Sequence, residues 1–171
     1  MNNEALLLSQ RLGEQLHRLN WRVATAESCT GGAVAAAITA VTGSSGWFEY
    51  GIVSYANAAK EKLLGVSRDL LEREGAVSEA VVIAMVQGVL GLSGADVAVA
   101  VSGIACPGGG SAEKPVGTVW FAWGTATGEM QTEVKNFSGD RTEVQNAALV
   151  WALQGLLRIS MHNQSTARDE K

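Results

Sequence analysis

One hydroxyl-bearing segment, Ala26-Glu27-Ser28-Cys29-Thr30-Gly31-Gly32, constrains this chain more than any other. It follows a β-like run from Trp21 to Thr25 and precedes a small-residue helical run from Ala33 to Ala40. A turn placed so lies beside helix N–H groups that no intrahelical carbonyl can satisfy. Gly31 and Gly32 remove side chains that would keep a ligand from those donors. The positive end of the helix then suits an anion or a developing oxyanion. Two roles stay open for Ser28 at this point: it is a nucleophile, or it caps the helix.

The order of the remaining segments sets the fold class. Asn3 is a candidate cap for a first helix carrying Leu6, Leu8, Leu12, Leu16 and Leu19 near the helical period. Tyr50 to Tyr55 reads as a second strand, Asn57 as the cap of a short helix to Leu64, and Ser67 as the start of another ending at Gly75. Ser78-Glu79 opens a long apolar helix to about Leu92. Asp96 to Ile104 is nearly continuous and valine-rich, the pattern of a strand covered on both faces. A loop from Cys106 to Pro115 holds three consecutive glycines, and strands at Val116–Ala126 and Met130–Phe137 follow as a hairpin around Thr127-Gly128. Asp140-Arg141-Thr142-Glu143 reads as a capping box opening a last helix to about Met161. Alternation first and a late hairpin predict a three-layer α/β/α sandwich with a mixed sheet. We expect a single domain over residues 1–162 and a frayed polar tail over 163–171.

Bulk properties narrow the partners. A formal charge of −4 gives no electrostatic case for nucleic acid. No stretch approaches the roughly 18 apolar residues of a membrane span, and no basic leader precedes Leu6, so a cytoplasmic protein is expected. Cys29 and Cys106 are too few for a disulfide framework. His17 and His162 lack metal-ligand spacing, so a structural zinc site is not expected, and the mechanism expected below requires no metal or organic cofactor.

In open α/β sheets ligands bind beyond the C-terminal ends of the strands. The loops leaving the predicted strands carry Ser28 and Thr30, then Tyr55, Asn57 and Lys60, then Ser102 with the glycine loop, then Arg141. With no histidine well placed, Lys60 is the candidate base for Ser28, given burial or a neighbouring cation such as Arg141 to lower its pKa. Tyr55 is a candidate proton relay. The alternative is that Lys60 decorates an exposed helix face. Gly108 and Gly109 could wrap a phosphate with backbone N–H groups or form a plain turn, and Arg141 is either an anion clamp or an exposed first-turn residue. Cys29 is a rival nucleophile without a histidine partner.

Together these segments resemble the C-terminal domain family of the competence/damage-inducible protein A, whose stand-alone members are nicotinamide-nucleotide amidases. The resemblance covers about residues 5–160. It rests on A-E-S-C-T-G-G at 26–32, G-S-S-x-W-F at 43–48, S-Y-A-N-x-x-K at 54–60 and G-A-V-S-E at 75–79. V-S-G-I-A at 101–105, K-P-V-G-T-V at 114–119 and F-S-G-D-R at 137–141 complete it. It implies hydrolysis of the carboxamide of nicotinamide mononucleotide to nicotinate mononucleotide and ammonia, with a small-molecule nucleotide as the partner. The family pattern places the nucleophile on Ser28, its lysine and tyrosine on Lys60 and Tyr55, a second serine on Ser102 and an arginine on Arg141.

In the mechanism expected from both readings, Ser28 attacks the amide carbon and Lys60 carries the proton to the departing ammonia. N–H groups from Thr30 to Gly32 hold the oxyanion, and the phosphate rests on the glycine loop and Arg141. One departure stands out: Cys106 replaces the second glycine of the family's S-G-I-A-G-P loop. A catalytically silent nucleotide-binding paralogue is therefore the competing reading. The resemblance and the apolar Trp120-Phe121-Ala122-Trp123 strand also point to a homodimer.

Overall fold

The computed structural model describes residues 3–105 and 108–169, with side chains as far as residue 163. Strands β1 (Val23–Glu27), β2 (Phe48–Val53), β3 (Val97–Gly103), β4 (Thr118–Thr125) and β5 (Met130–Asn136) form one sheet in the order β2-β1-β3-β4-β5. β1 runs parallel to β2 and β3, whereas β3–β4 and β4–β5 are antiparallel. Helices α1 (Asn3–Leu19), α2 (Ala33–Thr39) and α6 (Arg141–Asp169) pack on one face. On the other face lie α3 (Asn57–Leu64), α4 (Arg68–Glu74) and α5 (Glu79–Ser93). This is the three-layer α/β/α sandwich with a mixed sheet that the element order predicts.

The strand period of two explains how both faces are filled. In β3, Val97, Val99 and Val101 point into the α1/α2/α6 layer, while Ala98 and Ala100 meet α5. Small residues on that second face let α5 lie close to the sheet. α5 also meets α3 closely, because a Cβ on Gly88 would strike the Leu64 backbone. That contact fixes the helix carrying Lys60.

Element boundaries differ from expectation where polar groups are buried. The first strand begins two residues later than predicted and runs on to Glu27, which is wholly buried. Trp21 N–H instead returns to the Leu16 carbonyl at the end of α1. The second strand spans Phe48–Val53, so Tyr55 lies beyond it. Asn57 does not cap α3: the N-cap is Ala56, without a side-chain hydrogen bond. Ser67 and Ser78 do cap their helices, accepting from Leu70 N–H and Val81 N–H. The Asp140–Glu143 capping box forms in both directions, at 2.9 and 2.7 Å. α6 continues to Asp169 rather than stopping near Met161, so the expected frayed tail is helical that far. The 120–123 strand lies inside the sandwich: Phe121, Ala122 and Trp123 are buried in the sheet, with Phe121 and Trp123 stacked at 5.6 Å. It therefore offers little surface to a second copy.

Candidate active site

The parallel strands β1, β2 and β3 end at one edge of the sheet, where Glu27 pairs with both Val53 and Val101. β4 begins and β5 ends at the same edge, where Thr118 faces Asn136. The loops carrying the predicted site residues therefore leave one common rim.

At the head of β1, Ser28 is anchored by its N–H to the Val101 carbonyl at 2.9 Å. Its Oγ lies 3.1 Å from Lys60 Nζ. Lys60 reaches it from the second turn of α3 and is only 1% exposed, so the exposed-lysine alternative fails. Nζ also donates to the carbonyls of Ser54 at 2.7 Å and Tyr55 at 3.3 Å. Burial, which penalises the ammonium, lowers the Lys60 pKa from its ordinary value. A neutral amine has two N–H donors and one lone pair. As an ammonium, Nζ donates to the Ser28 hydroxyl oxygen and to both carbonyls; once neutral, it can keep its two donors on the carbonyls and turn its lone pair to the Ser28 hydroxyl proton. Burial, not Arg141, tunes this lysine.

Ser28 does not cap α2. Glu27 does, reaching over from the end of β1. Its carboxylate accepts from Thr30 Oγ at 2.7 Å and from the N–H groups of Gly32, Val34 and Ala35 at 3.1, 3.0 and 2.8 Å. The positive end of α2 is thus occupied by the protein's own anion. Gly31 N–H is committed as well, to the Ser28 carbonyl at 3.0 Å. The expectation that Gly31 and Gly32 present open N–H groups to an oxyanion is corrected accordingly. Both glycines are needed for another reason: their φ angles are 62° and 97°, which L side chains adopt at a cost. Among the described residues the turn N–H of Thr30 has no acceptor, and that of Cys29 meets no oxygen acceptor and lies beside its own sulfur. They are the donors that remain.

Burial disfavours Cys29 as a rival nucleophile. Its thiol is buried and pushed up to about 12, chiefly by desolvation, so it stays protonated. Its carbonyl accepts from Gln145 Nε2 of α6 at 2.8 Å. Behind it, a Cβ on Gly103 would lie 2.9 Å from the Cys29 sulfur, so the ends of β1 and β3 press together here.

The other predicted residues separate into two groups. Tyr55 and Arg141 meet at the rim, with Arg141 donating to the Tyr55 hydroxyl at 2.9 Å. Tyr55 is half exposed; its carbonyl accepts from Lys60 Nζ and its hydroxyl accepts from Arg141. Ser102 is buried and donates to the Ala76 carbonyl at 2.7 Å, tying β3 to the loop before α5. Asn57 is exposed at the start of α3, and its side chain makes no hydrogen bond among the described residues. Gly108 and Gly109 are exposed in the loop after β3, and Cys106 lies outside the described residues. That loop is tethered by Lys114, whose Nζ donates to the Glu74 carbonyl at 3.0 Å. Glu27, Gln145 and the Ser54 carbonyl are site groups that the sequence reading did not single out.

Residues 6–160 match the family described as the CinA C-terminal domain. The chain belongs to that family. Among its relatives, the nicotinamide-nucleotide amidohydrolase PncC of Enterobacter agglomerans is 56% identical over 156 residues, covering 91% of this chain and 95% of that protein. The protein of the same name from Escherichia coli K12 is 51% identical over 162 residues, covering 95% and 98%. Among solved structures, the competence/damage inducible protein CihA from Agrobacterium tumefaciens superposes with a TM-score of 0.90 at 41% identity, covering 92% of this chain and 96% of that one. This CinA C-terminal domain thus spans nearly the full length of relatives that carry a hydrolase name, and its buried serine–lysine pair sits where the parallel strands end.

Proposed function

We propose that this protein hydrolyses the carboxamide of nicotinamide mononucleotide, giving nicotinate mononucleotide and ammonia. The observation that carries the mechanism is the buried Lys60 Nζ, 3.1 Å from Ser28 Oγ, with its two donors on carbonyls. The PncC relatives, more than half identical over nine-tenths of the chain, support the substrate.

Ser28 Oγ attacks the amide carbon while its proton passes to the Lys60 lone pair. The carbonyl π electrons move onto oxygen, and the N–H groups of Cys29 and Thr30 stabilise that oxyanion. Collapse breaks the C–N bond, and the Lys60 ammonium returns the proton to the leaving nitrogen, which departs as ammonia. Water then attacks the nicotinoyl ester on Ser28 with Lys60 again as base, and the acid is released. No step calls on a metal or an organic cofactor.

The 5′-phosphate is assigned to the rim, where Arg141 beside Tyr55 is the cation and the backbone of Gly108 and Gly109 supplies N–H groups. With Glu27 already seated at the α2 N-terminus, that helix end is closed to the phosphate. Residues 1–162 serve as the single catalytic domain, and residues 163–171 take no part in the chemistry. No helix among the described residues is long and apolar enough to cross a membrane, in keeping with work in the cytoplasm. A homodimer would draw on the exposed edge-strand residues Tyr50, Val53 and Val134 rather than on the 120–123 strand.

Ammonia release from nicotinamide mononucleotide by the purified protein, with a Ser28→Ala control, tests the reading. Release that disappears in the control is the expected result. Nucleotide binding without release by the folded wild type would favour the silent paralogue.

A further inference from the structure

We infer that Gln145 is a positioning residue that aims the Thr30 N–H at the oxyanion of the reacting amide. The inference rests on the amidase reading and concerns how one of its two open donors is held.

Gln145 Nε2 donates to the Cys29 carbonyl at 2.8 Å. That carbonyl and the Thr30 N–H belong to one trans peptide, whose C=O and N–H point in opposite directions. Gln145 sits on α6, in the layer with α1 and α2, whereas Lys60 comes from α3 in the opposite layer. A carbonyl drawn towards α6 therefore turns the Thr30 N–H towards the layer that holds Lys60. Among the described residues no other group donates to that carbonyl. The rest of the turn is fixed independently, Ser28 N–H by Val101 and the Thr30 hydroxyl by Glu27. This one peptide plane is left to Gln145.

The helix does not need Gln145 for its packing, since Val144, Ala148, Leu149 and Ala152 supply the buried face there. Arg141 and Gln145 stand one turn apart on one side of α6. The first reaches Tyr55 after β2 and the second reaches Cys29 after β1. The start of α6 thus addresses both loops of the site, one at the rim and one at the reacting centre.

The test uses the full chain and nicotinamide mononucleotide, with assays well below each variant's melting temperature. Gln145→Leu removes the donor and keeps similar bulk. Its kcat is expected to fall about 10- to 100-fold with KM within about threefold, as befits a misaimed transition-state donor. Gln145→Glu is the second variant, because a protonated carboxyl can donate to the Cys29 carbonyl and an ionised one cannot. Its kcat relative to wild type at the same pH should therefore rise as pH falls towards the carboxyl range, about 4–5. A role confined to packing α6, which involves no hydrogen bond to the Cys29 carbonyl, predicts a flat ratio.

Three results overturn the inference: kcat within twofold of wild type in Gln145→Leu, a raised KM at unchanged kcat, or a flat Gln145→Glu ratio. If the leucine variant does not fold, the glutamate ratio decides alone. An inactive wild type would remove the amidase reading, and this inference with it. An active wild type with an unaffected Gln145→Leu would remove this inference only.

Discussion

The turn after β1 and the loop after β3 leave the same edge of the sheet and are built in opposite ways. Around Ser28 the charged groups are densely hydrogen-bonded: Glu27 takes four hydrogen bonds of 3.1 Å or less, and Lys60 is shared between two carbonyls and a hydroxyl. Gly108 to Gly110 are exposed, and the loop's tether comes from Lys114, near its far end. The contrast separates two tasks. Proton transfer needs atoms held to a fraction of an ångström, so the serine, the lysine and the carboxylate beside them are buried and hydrogen-bonded. Grasping a phosphate needs charge and backbone N–H groups on an accessible surface, and the exposed loop and rim offer those.

The largest effect should come from the buried side. Ser28→Ala is expected to lower kcat by about 10⁴-fold or more, read as ammonia release, because no other hydroxyl is hydrogen-bonded to Lys60 Nζ among the described residues. A drop under about tenfold would mean that another group is the nucleophile. Next comes Glu27→Ala, which leaves three helix N–H groups and a threonine hydroxyl without their acceptor. It should cost roughly 3 kcal/mol or more of stability, a fall in melting temperature of about 6–12 °C for a chain of this size. An unchanged melting temperature would show that the α2 terminus is satisfied by water instead.

On the open side the effects should be smaller and fall on binding. Arg141→Ala is expected to raise KM about 10- to 100-fold while kcat changes little, as for loss of a charge-assisted contact to phosphate. Equal loss for the phosphate-free nucleoside would detach Arg141 from the phosphate. Gly108→Ala should be the mildest change. A Cβ there meets nothing within 4 Å, and alanine keeps the N–H, so KM should move less than about threefold. A large rise would mean that the loop closes tightly on the substrate.

The same division explains what the sequence reveals. The sandwich was legible because β3 carries an unbroken valine-rich run and the capping serines, Ser67 and Ser78, mark helix starts by side-chain chemistry. Ser28 and Lys60 were legible because few residue types can attack an amide or accept a proton without histidine. Glu27 was not. A carboxylate closing an apolar strand reads as the first residue of a turn, and only the tertiary arrangement shows α2 returning to cap itself on it. For that reason the glycines were assigned open N–H groups that Glu27 and the Ser28 carbonyl already hold. The Ser54 and Tyr55 carbonyls that set the lysine's orientation are backbone atoms and leave no mark in residue type. Gln145 is hidden for a related reason: its partner lies 116 residues away and is also a carbonyl.

The central claim is that Lys60 works as a neutral amine on Ser28, and the pH dependence of kcat/KM for nicotinamide mononucleotide tests it most directly. Because burial lowers the Lys60 pKa below its ordinary 10.5, the ammonium dominates at low pH and the active amine appears as pH rises. kcat/KM is expected to climb through one ionisation below the usual lysine range, and Lys60→Met to abolish both the climb and the turnover. A flat profile from about pH 6 to 10, or a Lys60→Met variant that keeps the same limb, would contradict it.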